Sequence, residues 1–274
     1  MDRPNREYPS ARSRNNESVK TALVLSAGGM FGAYQAGAWS VLAGHFQPDL
    51  IVGASAGAIN AWCIAGGCPP GELIEHWLTL ECAATYGWQF PKAWHGGILN
   101  CTTLMAQVDE IYASFRPKIE CAIVITELAT LQPKIVRGPD VTADVLRAST
   151  AIFGLFEQVR IDGKIYTDGG TLAALPLWAA AELGADRAVA INALPALPGI
   201  IPKLFVAVVR RLSNFHPQVP HAMDEIRIAP SAPLGSGIDA IRWSKSNVER
   251  WVKQGREDAQ ACLAQTPILS ENRA

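Results

Sequence analysis

Three short stretches carry groups suited to acyl transfer. Gly53-Ala54-Ser55-Ala56-Gly57 sets a serine between two glycines, directly after the apolar run Leu50-Ile51-Val52 and before an apolar stretch from Ala58 to about Ala65. A serine on a sharp strand-to-helix turn stands exposed as a nucleophile, and the flanking glycines avoid collisions with neighbouring chain. The following helix points its positive dipole end at the site, which favours the negative charge that develops during acyl transfer. An oxyanion needs closely approaching backbone N–H donors, and Gly28 and Gly29 in Ser26-Ala27-Gly28-Gly29 offer them without Cβ interference. The hydroxyl also needs a base. Asp168, in Thr167-Asp168-Gly169-Gly170, is the candidate. A carboxylate of ordinary pKa, about 3.9, is a poor base at neutrality, so the role implies a partly desolvated carboxyl with a raised pKa. Each stretch taken singly also fits an ordinary glycine turn.

The elements that must position these groups can be read from patterning. Thr21 to Leu25 and Leu50 to Val52 are short apolar runs, each ending in a glycine turn and followed by a helical stretch, Gly32 to Gly44 and Ala58 to about Ala65. Two such strand, turn, helix units in tandem predict a mostly parallel central sheet flanked by helices, an α/β fold. Helical spacing continues over Gly71 to Cys82, Leu99 to Phe115, Val141 to Ala148 and Pro176 to Leu183. Glu120 to Thr126 and Arg187 to Ile191 read as strands, with Gln132 to Val136 as an antiparallel partner of the former. Val159 to Tyr166 alternates about Asp162-Gly163, a strong hairpin signal, and delivers the chain to Asp168.

A chain of 274 residues, 49% hydrophobic and 18% charged, can bury a large core without division into several domains. With 24 Lys plus Arg against 25 Asp plus Glu, the net charge of -1 supplies no field for nucleic acid. Cys63, Cys68, Cys82, Cys101, Cys121 and Cys262 are scattered without metal-ligand spacing and read as free, mostly buried thiols. Residues 1–20 are polar, lack the apolar run of a secretory signal, and are expected to be a disordered tail of a cytoplasmic protein. Residues 21–230 then form the main domain, and 231–274 a helical extension packed on it, with Trp243, Val248, Trp251 and Val252 as its anchors.

Taken in order, the stretch Leu23 to Gly37, the stretch Gly53 to Ala61 and Asp168-Gly169-Gly170 resemble the patatin-like phospholipase family. The segment Leu146 to Ile152, continuing through Phe156 to Gly163, also looks like that family's approach to its aspartate. The resemblance implies a lipid acyl hydrolase with Ser55 as nucleophile, Asp168 as general base and Gly28 and Gly29 at the oxyanion hole. It also implies no catalytic histidine, metal or organic cofactor, and substrates that are acyl esters of phospholipids, lysophospholipids or neutral lipids. The chain departs from the family pattern at Ala27, in place of a third glycine, at Phe31, in place of a basic residue, at Phe153 and at Ala174. Loss of a cation beside the loop weakens anion binding and shifts the expectation toward a neutral ester. Phe31 and Phe153 are instead candidates for lining an apolar acyl site.

Three other readings compete. Ser55, Asp168 and then His216 or His221 follow the chain order of an α/β-hydrolase triad. Ala27-x-Gly29-x-x-Gly32 with Asp49 imitates a dinucleotide fingerprint, but Asp49 precedes the second strand instead of closing it. A patatin-like fold with an altered oxyanion loop could also serve as a binding protein. His45, His76 and His95 fit no catalytic or ligand pattern. Leu194 to Phe215, with Leu197, Ile200, Ile201, Leu204, Phe205 and Val208 ahead of Arg210 and Arg211, is apolar with a basic end; it suits the core, a lid or peripheral membrane contact. Oligomeric state has no signal.

Overall fold

The computed structural model describes residues 19–80, 87–91, 93–196, 199–217 and 223–266, with the side chains of 200–203 and 205 outside that description. The chain forms β1 (Thr21–Leu25), α1 (Gly32–Leu42), β2 (Leu50–Ala54), α2 (Ala56–Ala65), α3 (Pro70–Leu78), β3 (Gly87–Trp88) and β4 (Leu99–Asn100). There follow α4 (Thr102–Ser114), β5 (Glu120–Glu127), β6 (Gln132–Arg137), α5 (Ala143–Thr150), β7 (Val159–Ile161), β8 (Lys164–Asp168) and α6 (Leu177–Glu182). The last elements are β9 (Arg187–Ile191), α7 (Ile200–Leu212), β10 (Asp224–Ile228) and α8 (Lys245–Gln265).

The fold is α/β, with a mostly parallel central sheet flanked by helices. Strands run in the order β10-β9-β1-β2-β5-β8-β7, with β6 also on β5. The first five of these are mutually parallel, whereas β6, β7 and β8 join antiparallel. Strand residues alternate between two cores, as a pleated strand requires. Leu23, Leu25, Ile51, Ile123 and Ile125 face the larger cluster, beneath α1, α2, α3 and α8. Ala22, Val24, Leu50, Val52 and Val124 face the smaller one, beneath Leu177, Trp178, Ala179 and Ala180 of α6.

One detail of register positions the site. β6 pairs along Ala122 to Glu127 of β5, so it occupies one whole edge of that strand. β2 and the antiparallel β8 therefore share the other edge. β2 ends with Ala54 opposite Val124, and β8 arrives from the other direction with Asp168 opposite Ile125. The two strands meet head-on, and both must turn out of the sheet there, β2 at Ser55 and β8 at Gly169.

α1 shows where patterning alone falls short. The sequence suggests one packing stripe, through Tyr34, Gly37, Ala38, Val41 and Leu42, yet nine of its eleven residues are buried. The cause is α8, which lies across the outer face with Gly37 against the Val252 carbonyl and Gly255 against the Tyr34 carbonyl. Helix α8 is preceded by a turn over residues 237–242, where a continuous helix is expected, and β3, β4 and β10 have no counterpart in the sequence reading.

Candidate active site

Ser55 sits at the turn between β2 and α2 with φ 56 and ψ −128, a positive φ that a residue with a side chain adopts only when its surroundings impose it. The surroundings are visible. A Cβ on Gly57 would lie 2.4 Å from the Leu25 carbonyl and 2.5 Å from that of Ser26, so the first turn of α2 can press against the end of β1 only with glycine there. The Ser55 N–H donates to Ser149 Oγ at 2.9 Å, and Ser149 Oγ donates in turn to the Val124 carbonyl at 2.8 Å. Ser149, on α5, thus ties the strained residue to β5. It lies within Leu146 to Ile152, but patterning gives it no role, because its task is set by a partner 94 residues away. Ser149→Ala leaves a buried N–H unpaired and is expected to cost about 1–3 kcal/mol of stability. A displaced Ser55 is also expected to slow labelling by a serine-directed phosphonate by about tenfold to a hundredfold. Urea unfolding and timed labelling measure the two effects, and an unchanged labelling rate would remove Ser149 from the positioning of Ser55.

Asp168 is held from three sides. Its N–H donates to the Ala151 carbonyl at 3.0 Å, its carbonyl accepts from Thr126 Oγ1 at 3.1 Å, and its Oδ1 accepts from the Gly170 N–H at 2.7 Å. The Ser55 side chain also lies close enough to the carboxylate to favour its charged form. Burial pushes this carboxyl up to about 6, against the lowering effect of the Ser55 side chain and the Gly170 hydrogen bond. A carboxylate that titrates there suits proton abstraction near neutrality far better than an exposed aspartate does. Ser55 and Asp168 are each 5% exposed, so their exchange is shielded from bulk water.

The loop after β1 closes the site. Ala27 donates its N–H to the Ala174 carbonyl at 2.7 Å, and Met30 donates to the Ala240 carbonyl at 2.8 Å. Between them, the N–H groups of Gly28 and Gly29 have no acceptor among the described residues, nor does that of Ala56, the first residue of α2. Gly29 has φ +55, and a Cβ there would fall 2.0 Å from the Ala240 carbonyl, so the turn before α8 presses directly on the loop. A buried polar chain fixes the loop from behind. Gln35 Nε2 donates to the Ser26 carbonyl at 2.7 Å, Asn60 Nδ2 to Gln35 Oε1 at 2.9 Å, and Trp77 Nε1 to Asn60 Oδ1 at 2.9 Å.

From Ser55 a cleft of about 230 Å³ runs between α2, α3 and α4. Its wall is largely apolar, with Ile59, Leu73, Trp77, Val108, Ile111 and Ile152 prominent, and Gly29, Met30 and Ala56 stand beside the serine. Ala240 and Ile241, outside the 21–230 span, contribute to the same wall. The geometry therefore brings together a serine hydroxyl, a buried carboxyl beside it, unengaged N–H donors and an apolar groove, which together can attack an acyl ester.

A family model described as patatin-like phospholipase matches residues 23–181, a span holding the loop, the serine turn and the Asp168 turn. The chain belongs to the patatin-like phospholipase family. Uncharacterized NTE family proteins of Mycobacterium bovis and Mycobacterium tuberculosis are 30% identical to it over 190 residues, covering 66% of this chain and 51% of theirs. The chain thus spans about half the length of these curated relatives. Among solved structures, VipD from Legionella pneumophila gives a TM-score of 0.49 at 13% identity, over 90% of this chain and 67% of that one. The type III effector protein ExoU gives 0.42 at 12% identity, over 90% and 53%.

Within this patatin-like domain two expected residues stand outside the cleft. Phe31 is buried edge-on against Trp251 of α8, with ring centroids 5.1 Å apart, so it is a core contact. Phe153 follows α5 and is not among the residues lining the groove. Ala27, in place of a family glycine, sets its methyl group against Gly170, the residue whose N–H holds Asp168. His216 is exposed, and no imidazole among the described residues hydrogen-bonds Ser55 or Asp168; His221 lies outside those residues. Cys63, Cys68, Cys101 and Cys121 are buried free thiols and Cys262 is partly exposed, while Cys82 lies outside the described residues.

Proposed function

We propose that this chain hydrolyses acyl esters of lipids, with Ser55 as the nucleophile and Asp168 as its base. The observation that carries this reading is a serine on a strained turn beside a buried carboxyl of raised pKa, at the head of an apolar groove. Asp168 takes the hydroxyl proton as Ser55 Oγ attacks the ester carbonyl. The developing oxyanion accepts hydrogen bonds from Gly28, Gly29 and Ala56, reinforced by the N-terminal dipole of α2. Collapse expels the alcohol, protonated by Asp168, and leaves an acyl-enzyme on Ser55. Water, activated by the same carboxylate, then releases the acid. The groove suits one acyl chain, and no metal or organic cofactor is required. A panel of phospholipids, lysophospholipids and neutral acyl esters, with Ser55→Ala as the blank, tests the reading together with fluorophosphonate labelling. If intact protein shows neither turnover nor labelling, the chain is a patatin-like binding protein instead.

Such substrates lie in membranes, and we place the protein on them peripherally, in the cytoplasm, where unpaired thiols persist. No helix among the described residues is long and apolar enough to cross a bilayer. Trp88, Phe90 and Trp94, around the β3–β4 pair, are 83%, 96% and 72% exposed. That segment is bonded to the groove wall, with Ile98 N–H on the Gly154 carbonyl and Leu99 N–H on that of Leu155, next to Ile152 and Phe156. On α7, Leu204, Val208 and Leu212 are exposed beside Arg210 and Arg211, and Arg210 anchors to the Leu172 carbonyl at 2.7 Å, four residues beyond Asp168. Tryptophan rings favour the lipid interface. The Trp88→Ser, Phe90→Ser, Trp94→Ser triple variant, made in Ser55→Ala protein, is expected to lose most of its co-sedimentation with phosphatidylcholine vesicles, and Leu204→Asp to weaken it. Unaltered sedimentation of the folded triple variant would rule that segment out.

A further inference from the structure

Where α2 ends and α3 begins, three donors of different chemical kinds converge. Cys68 Sγ, a carboxylate oxygen of Glu72 and an imidazole nitrogen of His76 all lie within 4.8 Å of one another. Glu72 and His76 are one helical turn apart on α3, with Nε2 and Oε1 3.7 Å from each other. Cys68, two residues ahead of α3, is buried, and its backbone N–H is pinned to the Cys63 carbonyl at 2.9 Å. Cys63, near the end of α2, is a neighbouring thiol that interacts with Cys68. His76 Nε2 is buried and has no hydrogen-bond partner. None of these groups takes part in the Ser55 and Asp168 chemistry.

We propose that Cys68, Glu72 and His76 form a binding site for a divalent cation of the zinc type. A set of thiolate sulfur, imidazole nitrogen and a single carboxylate selects zinc over the harder magnesium and calcium ions, which take oxygen ligands. At metal–ligand distances of about 2.0–2.3 Å, tetrahedral donors stand roughly 3.3–3.8 Å apart, so the cluster must contract by about 1 Å. Rotation of the Glu72 and His76 side chains supplies that, since both are partly exposed on one helix face. Cys63 and His76 also line the groove that begins at Ser55. A cation bound there locks α3 to the end of α2 and narrows the groove, so the site controls access to the serine. That last consequence rests on the hydrolase reading; the binding itself does not.

Titration calorimetry of the reduced full-length chain with zinc alone is expected to give one ion per chain. Cys68→Ser and His76→Gln should each weaken binding by at least about tenfold, the loss that removal of even an outer-shell partner produces. Cys262→Ser, outside the cluster, should leave it unchanged. Cobalt in place of zinc should show a sulfur-to-metal charge-transfer band that Cys68→Ser removes. His76 is only partly buried, so His76→Gln keeps the test alive if Cys68→Ser, at a buried position, does not fold. Absence of binding, or binding that survives in folded Cys68→Ser and His76→Gln proteins, overturns the proposal. Zinc is also expected to slow turnover of a soluble acyl ester, reversibly with a chelator. Should the chain bind zinc as described yet turn over no ester, the metal site stands and the hydrolase reading falls.

Discussion

Replacing Ser55 with alanine is expected to abolish fluorophosphonate labelling and to lower acyl-ester turnover by about 10⁴-fold or more. That is the scale of loss when a nucleophile is removed from a unit it forms with its base. Asp168→Ala, alone or combined with Ser55→Ala, should reach the same residual rate, because hydroxyl and carboxylate act together and their losses do not add. The fold is expected to survive. Alanine keeps a Cβ at φ 56, so it neither adds nor relieves backbone strain, whereas Ser55→Gly should relieve about 1 kcal/mol or more and melt higher. His216→Ala is expected to leave turnover unchanged, in keeping with its exposed place after α7. Loss of turnover in a folded His216→Ala protein would replace the dyad with a triad. A Ser55→Ala protein as active as wild type would remove the nucleophile assignment itself.

Much of this arrangement is legible from the chain alone, for a definite reason. The glycines at 53, 57, 28 and 29 and the Asp162-Gly163 turn answer to local geometry, and local geometry leaves residue-type signatures. Strands buried on both faces appear as short apolar runs, so β1, β2, β5 and β9 can be read directly. β10 escapes notice because Asp224-Glu225-Ile226-Arg227-Ile228 is an edge strand with a wet face and only two buried side chains. α1 misleads in the opposite sense, since the helix that buries its outer face comes from more than 200 residues later.

The site divides in the same way. Ser55, Asp168, Gly28 and Gly29 sit in motifs, but the supports that shape them are distant in sequence. Ser149 reaches Ser55 across 94 residues, Ala174 takes the Ala27 N–H, and Ala240 takes that of Met30. Ala240 reveals itself only through its carbonyl, an atom every residue carries, so no pattern of side chains could mark it. Phe31 illustrates the converse. Its replacement of a basic residue is visible in sequence, but whether a phenylalanine there meets a ligand or the core depends on Trp251, and the ring packs on Trp251.

Asp168 should also govern stability, with a sign opposite to that of most acidic groups. Its carboxyl moves from an ordinary 3.8 to about 6 because burial removes the water that would solvate the charge. Below about pH 4 the group is protonated in the native and unfolded chains alike, and its full stabilising contribution is present. Between about pH 4 and 6 the unfolded chain gives up the proton while the native site retains it, so stability falls as pH rises through that window. Above about 6 the native state holds an ionised, poorly solvated carboxylate at a cost of about 3 kcal/mol. Asparagine has nearly the same shape and stays neutral, and its side-chain oxygen can accept from the Gly170 N–H and from Ser55. Asp168→Asn is therefore expected to be more stable than wild type by about 1–3 kcal/mol at pH 8, with the difference closing toward zero at pH 4. Urea unfolding at the two pH values measures it. The same substitution removes the base, so the stabilised protein should be inactive, while wild-type turnover rises from pH 5 to 7 about a midpoint near 6. Equal stability of the two proteins at pH 8 would mean that water reaches the Asp168 carboxylate, and the case for its action as a base near neutrality would go with it.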